Sequence, residues 1–115
     1  MHAPRVPVIS RTEYRPDIAL AGEAGAPAQI KLVSPAAFLS DSSRYDLIIN
    51  IDSLTEIGRD AADEYWQAIK ARADIFFSVN HEFNAFTVAE LIGSTPASRS
   101  PYWLRRGYVE EIVRF

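Results

Sequence analysis

The chain contains no cysteine among its 115 residues, and it has no excess of positive charge. Disulfide bonds, thiolate catalysis and cysteine-ligated metal sites are therefore excluded. The net charge of -3 argues against a general nucleic-acid-binding protein, which needs a basic face to displace counterions from phosphate. No apolar run approaches the roughly 20 residues of a membrane-spanning helix, and residues 1–10 lack the apolar core of a secretory signal. We therefore expect a cytoplasmic protein with neither nucleic acid nor membrane as a partner.

The composition indicates a single globular domain. The apolar fraction is 48% and the charged fraction is 23%, both ordinary values for such a domain. Residues 1–29 are predicted to be an irregular N-terminal segment, because four prolines and the small residues at 21–28 punctuate them. Residues 6–9 are the one candidate strand in that segment. Residues 30–115 are predicted to form the folded domain.

Two apolar runs at residues 45–51 and 75–79 predict the main strands of the sheet. The first run is rich in Ile and the second contains Ile, Phe and Val, and such apolar runs are typical of parallel strands that are buried on both faces. Between them, residues 61–73 place apolar side chains at helical spacings of three and four, with Asp60 as a candidate cap. The order strand, helix, strand favours the α/β class.

Shorter elements are predicted on either side of these runs. Residues 30–33 are a candidate strand, followed by a short helix with Ser34 as its cap and Pro35 at its first position. A helical turn is expected at residues 88–92, ending at Gly93, and a loop at residues 94–101. Residues 102–115 leave two alternatives, namely two strands around a turn, or an irregular segment followed by one strand.

Polar residues follow both apolar runs at the point where each predicted strand ends. The first group is Asn50, Asp52, Ser53 and Glu56, and the second is Asn80, His81 and Glu82. Taken singly, such residues are common in turns and caps. If the strands are parallel neighbours, however, both groups meet at the sheet edge where open α/β sheets bind ligands. There His81 is a candidate general base, because histidine exchanges a proton near neutral pH. No metal site is predicted, since one histidine with scattered carboxylates does not make a zinc site.

Four stretches of the sequence resemble the later half of the sugar O-methyltransferase family. They are YDLIINIDSLTEI at 45–57, EYWQAIKA at 64–71, FFSVNHEFNAFTV at 76–88 and SPYWLRRGYVEEIVRF at 100–115. Members of that family resemble class I methyltransferases, which use S-adenosylmethionine. The resemblance implies methyl transfer from S-adenosylmethionine to a hydroxyl of a sugar or other small-molecule acceptor.

The resemblance also implies a fold and a set of site residues. The implied fold is α/β, with a partial Rossmann-like, mostly parallel sheet of about four strands and flanking helices. It implies that Asn50, Asp52 and Ser53 contact the cofactor. It places His81 and Glu82 at the acceptor as catalytic residues, with His81 as the base.

The sequence departs from class I methyltransferases in one important respect. The glycine-rich loop after the first strand is missing, because Gly22 and Gly25 do not follow a convincing strand. We therefore expect this chain alone not to be a competent enzyme. The strand at residues 45–51 would become an exposed edge, which predicts a homodimer through that edge or a rearranged third strand. The alternatives are a non-catalytic α/β interaction or structural module, and another small-molecule-binding domain.

Overall fold

The computed structural model describes residues 18–19 and 29–115. It divides the chain into two compact units, Met1–Ser40 and Asp41–Phe115, whereas the sequence predicted a boundary between residues 29 and 30. The predicted strand at residues 6–9 lies outside the described residues.

The first unit contains a short strand pair and one short helix. Strand β1 (Ile18–Ala19) pairs antiparallel with β2 (Gln29–Ile30), and helix α1 spans Pro35–Ser40. The backbone N–H of Ala37 donates to Ser34 Oγ at 3.1 Å, which confirms the predicted cap. The strand predicted at residues 30–33 is shorter than expected and begins one residue earlier.

The second unit is a four-stranded mixed sheet with helices. Its elements are β3 (Tyr45–Ile51), a 3₁₀ turn (Leu54–Glu56), α2 (Arg59–Arg72), β4 (Ala73–His81), α3 (Val88–Ile92), β5 (Ser98–Pro101) and β6 (Tyr108–Arg114). The strand order is β3-β4-β6-β5. The predicted α/β class and the parallel pairing of the two main strands are confirmed.

The prediction of a mostly parallel sheet was wrong. Strand β6 runs antiparallel to both of its neighbours, β4 and β5. Its connection to β5, residues 102–107, is too short to return the chain to the other end of the sheet, so only an antiparallel pairing is possible. Of the two alternatives for residues 102–115, an irregular segment followed by one strand is the one observed.

Helix α2 begins earlier than predicted, and Asp60 does not cap it. The residue before the helix is Gly58, whose φ of 88° lies in the left-handed region that favours glycine. Asp60 instead lies in the first turn, where a carboxylate interacts favourably with the helix dipole. Strand β4 follows α2 directly at Ala73, so the crossover between the parallel strands contains no loop at this end.

The main buried apolar cluster lies on one face of the sheet, beneath α2 and α3, whereas the buried Val79 of β4 lies on the other face. Trp66 of α2 packs on Phe76 of β4 with 5.6 Å between ring centroids, and Phe76 pairs in register with Val113 of β6. Leu91 and Ile92 of α3 belong to the same buried cluster. In the part of the chain that the structure describes, no helix combines the length and the apolar character that crossing a membrane requires.

Candidate functional site

The buried amide of Asn50 joins the ends of β3 and β4. Asn50 Nδ2 donates to Ser78 Oγ at 2.8 Å and to Asn80 Oδ1 at 3.0 Å. Asn50 Oδ1 accepts from the backbone N–H of Leu54 at 3.0 Å, which fixes the start of the 3₁₀ turn. Asn50, which was predicted to contact the cofactor, therefore lies between the two strands, and its amide group is hydrogen-bonded to protein atoms.

A second set of hydrogen bonds ties the turn after β3 to the loop after β4. Thr55 Oγ1 accepts from Asn80 Nδ2 at 2.8 Å and from Asn84 Nδ2 at 2.7 Å. Thr55 is buried, so these bonds satisfy polar groups that have left water. Sequence reasoning did not single out Thr55 or Asn84. Together with Asn50, they hold the two polar segments at fixed positions.

Asp52 lies at the centre of the site in a left-handed backbone conformation. Its φ is 51°, which aspartate tolerates better than most residues, and its N–H donates to Val79 O at 2.9 Å. Asp52 Oδ2 accepts from the Tyr108 hydroxyl at 3.0 Å and lies 3.9 Å from Arg105 Nη1. Asp52 Oδ1 is buried and has no hydrogen-bond partner in the described structure. One oxygen of Asp52 is thus held while the other retains acceptor capacity.

His81 faces Asp52 and Glu56 through the same ring nitrogen. Its Nε2 lies 3.4 Å from Glu56 Oε1 and 3.5 Å from Asp52 Oδ1. Its Nδ1 accepts from the backbone N–H of Phe83 at 3.2 Å, which places the proton of the neutral ring on Nε2. His81 is therefore oriented as a donor toward the two carboxylates. We call Asp52, Glu56, His81, Arg105 and Tyr108 the Asp52 cluster.

Three members of the Asp52 cluster offer the atoms of a candidate metal site. Ligand atoms of Asp52, Glu56 and His81 all lie within 4.8 Å of one another. A metal ion at Nε2 would need the lone pair of that nitrogen, so the proton would have to move to Nδ1. A proton on Nδ1 would face the backbone N–H of Phe83, so the hydrogen bond between Phe83 and His81 would be lost. The observed ring orientation fits a hydrogen-bonded cluster better than a metal centre.

The two remaining predicted site residues lie outside the Asp52 cluster. Glu82 forms an ion pair with Arg99 of β5, and Arg99 Nη1 also donates to Glu111 Oε1 at 2.9 Å. Ser53 is exposed, and its side chain does not cap the 3₁₀ turn that follows it. The structure thus brings Asp52 and His81 together, with Glu56, and turns Glu82 toward a different partner.

Two groups near these residues have altered proton affinities. Burial raises the pKa of the Glu111 carboxyl, an effect that Arg99 opposes and Glu82 reinforces. Burial, and then the hydrogen bond to Asp52, raise the pKa of the Tyr108 hydroxyl. Tyr108 consequently keeps its proton and remains a donor to Asp52 at neutral pH.

Sequence reasoning missed the roles of Tyr108 and Arg105. Tyr108 is the first residue of β6 and pairs in register with His81, the last residue of β4. Arg105 precedes it in the connection from β5, and its guanidinium lies 4.3 Å from the centroid of the Tyr108 ring. The signal in the sequence was the stretch from Arg105 to Tyr108. That stretch can be assigned to the site only when it is known that β6 lies beside β4, because this pairing brings Tyr108 next to His81.

Comparisons with protein-family models, curated proteins and solved structures found no match to this chain. An α/β fold by itself does not specify an activity, because the same architecture carries many unrelated functions. The features of this chain that bear on function are therefore the side chains at the carboxyl ends of β3 and β4.

Proposed function

We propose that this chain is part of a sugar O-methyltransferase that uses S-adenosylmethionine, and that it carries the acceptor side of the site and the contact to the methionine end of the cofactor. The observation that carries the proposal is the convergence of Asp52, Glu56 and His81 where the parallel strands β3 and β4 end. This is the position at which open α/β sheets bind small molecules. The residues come from two of the stretches that resemble the methyltransferase family.

The strand order supports the same proposal. Strand β6 lies antiparallel between β4 and β5, while β5 runs in the same direction as β4. The sheets of class I methyltransferases end in a similar way, with a reversed strand inserted beside parallel ones. This is an analogy at the level of the fold, and it supports the family rather than an activity.

The residues present fit one end of the cofactor. Asp52 Oδ1 is a buried acceptor that makes no hydrogen bond among the described residues, with His81 Nε2 3.5 Å away, and its spare acceptor capacity suits the ammonium group of the methionine moiety. The sequence carries no glycine-rich loop for the nucleotide end, so we expect this chain to bind the cofactor weakly. When bound, S-adenosylmethionine supplies an electrophilic methyl group on a positively charged sulfur.

The chain's own contribution is to accept the proton of the acceptor hydroxyl. Both ring nitrogens of His81 already face polar partners, which leaves it poorly placed as the base. Glu56 has a 52% exposed side chain, and His81 contacts only one of its two oxygens. We therefore assign proton uptake to the second carboxylate oxygen of Glu56, with His81 as the residue that positions it.

Calorimetric titration with S-adenosylmethionine and S-adenosylhomocysteine tests the proposal. We expect weak binding by the full chain and a loss of about tenfold or more in Asp52→Asn, because a charge-assisted hydrogen bond is removed. Asp46→Asn is the matched control, since Asp46 is an exposed carboxylate on β3 outside the Asp52 cluster. Absence of binding by the wild type, or equal binding by Asp52→Asn, would refute the proposed cofactor site.

A second candidate function is a non-catalytic interaction module. It is favoured by large apolar side chains that are exposed on β3, namely Leu47, Ile49 and Ile51. These side chains lie on the face of the sheet opposite the core, as their register with β4 requires. A protein with an intact interaction surface and no cofactor binding would favour this candidate.

A further inference from the structure

The sheet has one face that carries apolar side chains and is not occupied by α2 and α3. On β3, Leu47, Ile49 and Ile51 are 48%, 55% and 64% exposed. In register beside them lie Ile75 and Phe77 of β4 and Ile112 of β6, all half-buried. We call these six residues, together with Glu110 and Arg114 of β6, the open face. Apolar patches of this kind in monomeric proteins commonly mark interaction sites.

The two charges on the open face are arranged symmetrically about its centre. Glu110 and Arg114 lie two residues to either side of Ile112, so all three side chains point to the same face of β6. Neither Glu110 nor Arg114 forms an ion pair with another residue among those described. Opposite charges therefore border one apolar row at a separation of about 13 Å along the strand.

We propose that the open face binds a second copy of this chain. A two-fold axis between the sheets, perpendicular to the strands and level with Ile112, would stack β6 antiparallel on its counterpart. Glu110 of each copy would then meet the partner's Arg114, and Ile112 would meet the partner's Ile112. A two-fold interface must be self-complementary in this way. A face with unpaired charges of one sign would instead repel its copy.

The apolar rows obey the same symmetry. Ile49 and Phe77 share the row of Ile112, so each would pack near its own counterpart across the axis. Leu47 would meet the partner's Ile51, because these residues lie equally far from Ile49 on β3. Apolar side chains therefore face apolar side chains throughout, at the roughly 10 Å spacing of stacked sheets.

This arrangement differs from the edge pairing that the sequence predicted. Pairing of β3 with the β3 of another copy would extend the sheet but leave the open face in water. It would also be insensitive to charges on β6, which lies two strands away from β3. Stacking of the faces removes the apolar side chains from water, which is the main favourable term in most associations.

The experiment is a charge exchange measured by sedimentation equilibrium of the full chain. We expect the wild type to dimerise, and Glu110→Arg or Arg114→Glu to weaken the dimer by about tenfold or more, because each creates like-charge pairs across the axis. The double variant Glu110→Arg/Arg114→Glu restores opposite charges and should return the dissociation constant to within about threefold of the wild type. Circular dichroism checks that each variant is folded.

The matched control is Glu64→Arg, the same charge change at an exposed position of α2. It should leave the dissociation constant unchanged. If a single reversal prevents folding, Glu110→Gln and Arg114→Gln replace it, and each should weaken the dimer. A monomeric wild type, or a dimer indifferent to the single reversals, would overturn the proposal. If the single reversals do not weaken the dimer, and the backbone amides of β3 become protected from hydrogen exchange on dimerisation, the copies pair through the β3 edge instead. Calorimetric titration of the monomeric variants with S-adenosylmethionine tests the proposed function independently, because the Asp52 cluster is unchanged in them.

Discussion

Asn50 shows how a polar residue at a strand end can serve the fold rather than a ligand. Its amide hydrogens bind Ser78 and Asn80, and its oxygen binds the N–H of Leu54. All of these partners are buried, so none of them can turn to water if the amide is removed. The residue therefore connects two strands and a turn through one side chain.

The first prediction concerns this connection. Asn50→Ala should lower the free energy of unfolding by about 2 to 4 kcal/mol, because several buried polar groups lose their partner. Urea denaturation measures the change. Asn84→Ala is the graded control, since it removes one bond to Thr55 and should cost about 1 kcal/mol. Equal losses in the two variants would show that Asn50 does not join the strands as described.

At this scale the sequence could place residues near one another but could not orient them. The positions of Asp52 and His81 at one sheet edge followed from two strand-like runs. The inward turn of Asn50 and the turn of Glu82 toward Arg99 depend on backbone angles within two or three residues. The partnership of Asp52 with Tyr108 joins residues 56 positions apart, which local patterns do not reveal.

A row of polar residues crosses all four strands on the core face of the sheet. Asn50, Ser78, Glu111 and Arg99 occupy successive strands in register. Glu111 is 3% exposed, and its Oε2 has no hydrogen-bond partner in the described structure. The row links the joint at Asn50 to the ion pairs of Arg99. Within it, Glu111 has a buried carboxylate oxygen that lacks a hydrogen bond.

The second prediction is a pH dependence of stability that Glu111 controls. Burial raises its folded pKa above the unfolded value, so the folded protein holds the extra proton between the two. Stability contributed by Glu111 therefore falls as pH rises through that interval and stays lower above it. The free energy of unfolding of Glu111→Gln should therefore rise relative to that of the wild type as the pH increases above about 4.3, the pKa of an unperturbed glutamate.

Urea denaturation at several pH values measures this difference. A glutamine at this position has no acidic proton to lose, and its side-chain oxygen can still accept from Arg99. Glu64→Gln is the matched control, because Glu64 is an exposed carboxylate on α2 that lies outside the buried row and the open face. A difference between Glu111→Gln and the wild type that does not change with pH would contradict the assignment.

Elements with a repeating apolar pattern were predictable, and the edge strand was not. Strand β3 and helix α3 have the bounds that the sequence predicted, because apolar spacing and Gly93 define them. Strand β5, with the sequence SRSP, has four exposed residues and no apolar alternation. It forms because β6 offers it backbone partners, so its existence depends on a strand that follows it in the chain.

At the scale of the whole molecule, the buried apolar cluster found among residues 18–19 and 29–115 lies within one unit. Every residue of the buried apolar cluster lies between Leu54 and Val113, within the unit Asp41–Phe115. The sheet, both of its helices and the Asp52 cluster belong to the same unit. This unit therefore contains what a small domain needs to fold.

The third prediction is that a fragment of residues 41–115 folds alone. It should unfold cooperatively in urea, with the blue-shifted fluorescence expected of the buried indole of Trp66. A fragment of residues 59–115, which lacks β3 and the Asn50 joint, is the control and should not unfold cooperatively. A gradual transition in the longer fragment would contradict the prediction.

The position of β6 also sets an order of events during synthesis. It is the last strand along the described chain, yet it lies inside the sheet between β4 and β5. Until the ribosome has released Tyr108–Arg114, β4 has an unpaired side and β5 has no partner at all. Before that release, the nascent chain contains β3, α2 and β4 but lacks the strand that pairs with the second side of β4. That is the interval in which a chaperone or a neighbouring nascent chain could compete for it.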